Sequence, residues 1–482
     1  MAVSLTSLQA QIQSSADEYA ATLTKPITAL KTQKTQLTSR SSAFSTIKTR
    51  MTAMQTSAKA LLSSGGATKF SVYSVSSTLA NVVTATASSG DSAGTHSLLV
   101  SQLAKNDMAL SSRFTNTDTT LASAIGTTTK SFQMSVNGVD TQIDVTLDGS
   151  ENNQAVLTKI AAAINAKSGT SGVSASAVGD TASTSKLVFT SKSTGASNKI
   201  VLSEVGGGNV LDSLGLSSAV LAGRTASTSG AAGFTYSDSA LLDSKFTLDG
   251  IEMVRSSNTV TDALQGVSLS LKSVQLPTDT PSTLTVALDQ SAIKTNVQDF
   301  LNKYNDLISI IRETTSVDQT TKVRQILSED TTYVQMRTSL RLMVMGQVSS
   351  VQSGNPSSLS ALGITADANG RLSISDLTKF NSAITGSSSS AIADVFVSSN
   401  GVAAQMSARM EDFVKTDGIL DSSLKSTKDR MTAVDKKVSE MTARNDKKVQ
   451  AYKDSLAQAL STLSQLSTQQ QLAASYASMY GS

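Results

Sequence analysis

The sequence predicts an α+β multidomain protein: a helical-bundle leg built from both chain ends, carrying two inserted β-rich α+β modules. Three observations predict it. Near the N-terminus, Leu30, Leu37, Phe44, Met51 and Ala58 repeat by seven, and Ile47, Met54 and Leu61 form a second ladder three positions on. Near the C-terminus, Val449, Leu456 and Leu463 also repeat by seven, beside Val438 and Tyr452. Between them, after Gly66, the apolar period shortens toward that of strands. A heptad buries its seam only against another helix, so two seams at opposite ends should meet each other or other subunits.

Leu5, Leu8, Ile12, Tyr19 and Leu23 mark a first amphipathic helix. Thr24 and Pro26 predict a restart, since Thr caps helices and Pro is tolerated in a first turn. A second helix over 25–62 should end at Gly65-Gly66. Strands are expected at Phe70–Val75, Val82-Val83 and 97–103. Residues 132–147 alternate about Asn137-Gly138, a strong hairpin signal. A helix follows, with Val156, Leu157, Ile160 and Ile164 on one face, then strands at 172–176 and 186–190. A second segment turns at Asp249-Gly250, with a short helix expected over Thr259–Leu264 capped by Asn258 or Thr259, then strands at 266–274 and 283–288. Strand, turn, strand, helix, strand, strand is thus expected twice. The join, 222–233, has the composition of a flexible linker.

Helical spacing returns at Ile293, Val297, Phe300, Tyr304, Leu307 and Ile311. A further helix should hold Val323, Ile326, Tyr333, Leu340 and Met343. Asn369-Gly370 predicts another hairpin, and 387–390 a polar loop. From Leu420 the pattern is helical nearly to the end.

A length of 482 residues allows about three domains. A net charge of +3, from 40 basic and 37 acidic residues, offers no field for nucleic acid. No cysteine is present, which excludes disulfides and thiolate chemistry. No stretch is long and apolar enough to span a membrane, and the N-terminus has no basic-then-apolar secretory signal. Low charge with abundant Ser and Thr suits a protein working outside the cell or in an array.

No catalytic constellation emerges. His96 is the one histidine, read as a surface or edge-strand residue because one His without Cys lacks the partners of a zinc site or triad. Gly206-Gly207-Gly208 has no following Lys-Ser/Thr and reads as a loop tip. Asp144, Asp148 and Glu151 lack calcium-loop spacing. The Lys/Asp mixture of 425–453 reads as a solvated helix face. Catalytic residues, metal ligands and cofactors are therefore all expected to be none.

Four segments carry a family resemblance. They are GTHSLLVSQLAKNDMALSS (94–112), FTLDGIEMVRSSNTVTDALQGVSLSLKS (246–273), FLNKYNDLISIIRETT (300–315) and LGITADANGRLSISDLTKF (362–380). In order and spread they resemble the bacterial flagellar filament-capping protein, or hook-associated protein 2, family. The extreme N-terminus departs from it, with Ser4-Leu5-Thr6 where the family commonly has Gly-Leu-Asp. The resemblance implies a non-enzymatic structural protein, exported through the flagellar type III apparatus with no cleaved signal, and located outside the cell at the filament tip. Its implied partners are its own copies in a ring of about five, flagellin, hook-associated proteins and an export chaperone, with no nucleic acid. A flagellin, a hook–filament junction protein and a surface adhesin are the alternatives, and adhesion could coexist with capping.

The expected division is 1–40 with 440–482 as terminal coiled-coil helices, 41–70 with 290–439 as the leg, 71–116 with 231–289 as an inner head, and 117–230 as an outer head. The expected contact residues are the seam positions Leu5, Leu8, Ile12, Leu23, Leu30, Leu37, Val449, Tyr452, Leu456 and Leu463. Residues 1–24 and the tail from Leu456 hold too little apolar surface to order alone and are expected to order only against a filament.

Overall fold

The computed structural model describes residues 5–62, 69–88, 90–385 and 389–480. The chain divides into two compact units. One combines residues 1–70 with 290–482, and the other is 71–289.

The first unit is built on two long helices, Leu5–Leu62 and Ile419–Tyr480. The 58 residues of the first span roughly 87 Å at 1.5 Å per residue. No restart occurs at Pro26, which lies inside the helix. Thr24 does not cap a new helix, because its hydroxyl donates back to the Ala21 carbonyl at 2.8 Å. Proline removes one backbone donor and crowds the preceding turn. The nearby Leu23 carbonyl takes a bond from outside the helix, from the Asn445 amide at 2.7 Å. The expected end at Gly65-Gly66 lies outside the described residues.

Over its last five turns this helix buries Phe44, Ile47, Met51, Met54, Ala58 and Leu61, alternating by three and four. Three helices cover that face: Gln290–Thr315, Val402–Val414 and Ile419–Tyr480. The expected stripe Ile293, Val297, Phe300, Tyr304, Leu307 and Ile311 is fully buried. Phe44 meets Tyr333 at 5.4 Å between ring centroids, and Tyr333 meets Phe413 at 6.4 Å. The helix holding Tyr333 is shorter than its apolar spacing suggests, running Thr331–Met345. Val323 falls in the preceding loop and is 56% exposed. Strands Ile364–Ala366 and Leu372–Ile374 pair as the expected hairpin. Of the expected 387–390 loop, 387–388 lie outside the described residues, while 389–390 are not loop but the start of the helix Ser389–Val397.

The second unit holds two apolar cores. In one, a five-stranded antiparallel sheet is ordered Tyr73–Ser77, Ser282–Leu288, Gly94–Gln102, Ser244–Leu248, Ile251–Arg255. It shares Leu98, Val100, Phe246, Leu284 and Val286 with Val83, Val260 and Leu269 of a three-stranded sheet. The Thr259–Leu264 segment is a strand of that second sheet, paired with Val267–Leu271, and not the short helix its spacing suggests. Consecutive β-branched Thr259, Val260 and Thr261 favour extended backbone. Asn258 is no cap either: its amide bridges both backbone groups of Ala104, at 2.7 and 2.9 Å. The twofold plan therefore fails at its helix in this segment, while the α+β class of the whole chain holds.

Gly94–Gln102 is the central strand, so His96 is not at an edge. Its Nδ1 sits 2.8 Å from Asp249 and its Nε2 3.0 Å from the Ser92 carbonyl. The Asp249 hydrogen bond raises the His96 pKa above its ordinary value despite partial burial. Asp249 reaches it because the turn residues Asp249 and Gly250 both adopt positive φ, +50° and +83°, as a tight hairpin requires.

The other core packs Phe132, Met134, Ile143, Val156, Leu157, Ile160, Ile164, Leu187 and Phe189. The expected Asn137-Gly138 hairpin pairs Lys130–Val136 with Val139–Val145. The helix Asn153–Ala166 is capped by Asn152, whose side chain accepts from the Ala155 amide. Residues 222–233 are not a free linker. Arg224 makes a two-pronged ion pair with the fully buried Asp107 (2.7 and 3.0 Å) and stacks 4.1 Å over the Phe234 ring. Buried Lys186 ties down the Thr228 carbonyl at 2.9 Å and the Ala231 carbonyl at 3.4 Å. Composition hides this anchoring, because both partners lie far away in sequence.

Candidate assembly interface

The two long helices run antiparallel, and four cross-helix contacts set their register. Lys48 pairs with Asp421, and Lys34 with Asp435 at 2.6 Å. Asn445 bonds Leu23, and the Tyr19 and Tyr452 rings lie 4.7 Å apart. Each step back along one helix is matched by a step forward along the other. A constant register along one line is the mark of a continuous two-helix seam.

That register sets Leu456 opposite Ile12, and Leu463 opposite the first described turn of the N-terminal helix. Ile12, Leu23, Leu30 and Leu37 are half-buried, as are Val449, Tyr452 and Leu456. Leu463 is 47% exposed. Leu5 and Leu8 belong to the helix, and their side chains lie outside the described residues. The structure thus brings Tyr452 and Leu456 to the level of Tyr19 and Ile12, where the two long helices form the outer seam against each other.

Beyond Leu466 the apolar pattern changes side. Thr468, Gln469, Gln470 and Gln471 interrupt it, and Leu472, Tyr476 and Met479 resume it at helical spacing. At 100° per residue, Met479 lies about 160° around the helix from Leu463. Leu472, Tyr476 and Met479 are 58%, 57% and 75% exposed. One straight partner helix cannot cover both stripes.

Sequence reasoning missed Asn445. Nothing in its Lys/Asp-rich surroundings marks it, yet it is buried and answers the proline turn across the seam. It also missed the cross-helix ion pairs. The Lys48 ammonium holds the Asp421 carboxyl below its ordinary pKa, and Lys59, 2.9 Å away, does the same for Glu411. The 425–453 mixture is largely a solvated face, with Lys425–Asp429 at 3.0 Å and Lys436–Glu440 at 4.0 Å. Among the described residues no group of three or more His, Asp or Glu side chains is placed to hold a metal, and no helix is long and apolar enough to cross a membrane.

Comparison with known proteins gives this architecture a family. Residues 9–107 match the flagellar hook-associated protein 2 N-terminus, and residues 242–468 match the flagellar hook-associated protein 2 C-terminus. The chain belongs to the flagellar hook-associated protein 2 family. It is 28% identical over 423 residues to the B-type flagellar hook-associated protein 2 of Pseudomonas aeruginosa, covering 86% of this chain and 84% of that protein. Identity to the flagellar hook-associated protein 2 of Escherichia coli K12 is 27% over 455 residues, covering 92% and 90%. The crystal structure of the D1-D2-D3 domains of the Escherichia coli flagellar cap protein FliD superposes with a TM-score of 0.63 at 25% identity. The match covers 80% of this chain and 99% of that one. Hook-associated protein 2 membership accounts for helical ends enclosing β-rich modules.

Proposed function

We propose that this protein caps the distal end of a flagellar filament, outside the cell. Its copies form a closed ring that retains exported flagellin and promotes its folding and insertion. The role is structural and non-enzymatic. One observation carries the reading: the paired terminal helices leave an apolar seam half-covered, and its last stripe, Leu472, Tyr476 and Met479, is open. Such a surface gains burial by docking among the helices of a filament. Each contact is small, as a cap that steps with every added subunit requires. Family membership and the likeness to a flagellar cap protein support the same reading.

On this reading, the seam positions from Leu5 to Leu37 and from Val449 to Leu463 are the filament contacts, and the outermost turns order fully only there. The ring holds about five copies in closed symmetry. Hook-associated proteins and an export chaperone are the further partners. Deleting the gene tests the reading. Non-motile cells that shed unpolymerised flagellin are expected, and normal filaments would overturn it. Electron microscopy of the purified protein separates it from a flagellin, with small closed rings expected instead of filaments.

A further inference from the structure

In the first unit, three segments enclose a cavity of ≈ 270 Å³: the Gln290–Thr315 helix, the Thr331–Met345 helix and the turn at Asn369-Gly370. Arg312, Arg337 and Arg341 line it, with Thr338 and Ile308. Arg312 donates to the uncharged Asn369 side chain at 2.6 Å. Arg337 and Arg341 are exposed and make no ion pair or side-chain hydrogen bond among the described residues. One turn before Ile308, the hydroxyl of buried Tyr304 has no partner. Three arginines thus line one small space, and the positive charge they concentrate there favours an anion. Their forked donors match a carboxylate or a phosphate.

The surroundings decide between those anions. The Thr331–Met345 helix buries Tyr333, Met336, Leu340 and Val344. Its other side carries Val334, Thr338, Arg341 and Met345, spaced by four, three and four, flanked by Arg337 and Leu342. Val334, Leu342 and Met345 are 38%, 68% and 56% exposed. A free phosphate would use the arginines and leave this apolar surface in water. A helix bearing Glu or Asp among apolar residues satisfies both the charge and the apolar flanks.

We propose that this face docks an acidic amphipathic helix of a protein partner, one of whose carboxylates enters the three-arginine cavity. Fluorescence anisotropy of the full chain with a short labelled helical peptide of Glu, Leu and Ala tests it. Saturable binding is expected, weakened about tenfold when the peptide's Glu residues become Gln. The double variant R337Q/R341Q should lose a similar factor. So should V334S/L342S, which leaves the arginines in place. All of these side chains are exposed, and an unchanged melting curve confirms that both variants fold. Equal binding of the Glu and Gln peptides overturns the proposal. So does binding of inorganic phosphate, displaced by R337Q/R341Q, with no peptide binding, since the cavity would then hold a free anion.

Discussion

Two stretches of one helix pair carry the same seven-residue repeat and meet different fates. From Phe44 to Leu61 the repeat is completely buried, whereas from Ile12 to Leu37 only Ala16 and Ile27 are buried and Ile12, Leu23, Leu30 and Leu37 are half-covered. The apolar residues are similar. The difference is the number of neighbours, because helices Gln290–Thr315 and Val402–Val414 close over the inner stretch. A heptad therefore reports that a helix seeks partners. How many it finds within its own chain decides whether the seam becomes core or contact surface.

The largest effect that would break this contrast is in the inner stretch. Ile47→Ala should cost about 2–5 kcal/mol in urea unfolding of the helical unit, and Leu456→Ala less than about 1 kcal/mol. Equal costs would show that the outer seam is core after all. Next, Asn445→Ala should cost about 1 kcal/mol and speed amide exchange around Leu23, with little change near Met51. Uniform exchange would remove Asn445 from the register.

Acid should separate the stretches too. The carboxyls of Asp421 and Glu411 have folded pKa values below their unfolded ones, owing to Lys48 and Lys59. Their contribution is present above the unfolded carboxyl values near pH 4, and is lost as pH falls through the lowered folded values. Melting temperature should thus drop as pH falls below the ordinary carboxyl values of about 4, and K48M/K59M should flatten that slope. An unchanged slope would remove these pairs as its cause. The smallest effect on the isolated chain, below about 0.5 kcal/mol, is expected from Leu463→Ser. The same change should impair motility in cells. Full motility with Leu463→Ser would take that position out of the filament contact.

Much of the architecture was legible because it is periodic. The ladders at Phe44–Leu61, the Ile293–Ile311 stripe and the Val156–Ile164 face repeat an interval that only a helix projects onto one side. Asn137-Gly138 and Asp249-Gly250 were legible for a related reason, since few residues tolerate their backbone angles. Thr259–Leu264 was misread because its spacing fits a short helix as well as a strand, and pairing with Val267–Leu271 settles it. Pro26 was misread because a proline ends a helix by default, and its tolerance depends on the helix alongside. The open apolar stripe from Leu472 to Met479 stood in the sequence as residues, but its change of side emerges only along a continuous helix.

By itself, then, the sequence determined the class of the longer repeating segments, the nesting of β-rich modules between helical ends, and the absence of thiol chemistry. The tertiary structure decided which seam became core, which strand replaced a helix, and where Asn445 and Arg224 make their contacts. Periodicity is a local property written every few residues. Partners such as Leu23 and Asn445, or Asp107 and Arg224, lie hundreds or about a hundred positions apart, and only the folded chain places them at 2.7 Å.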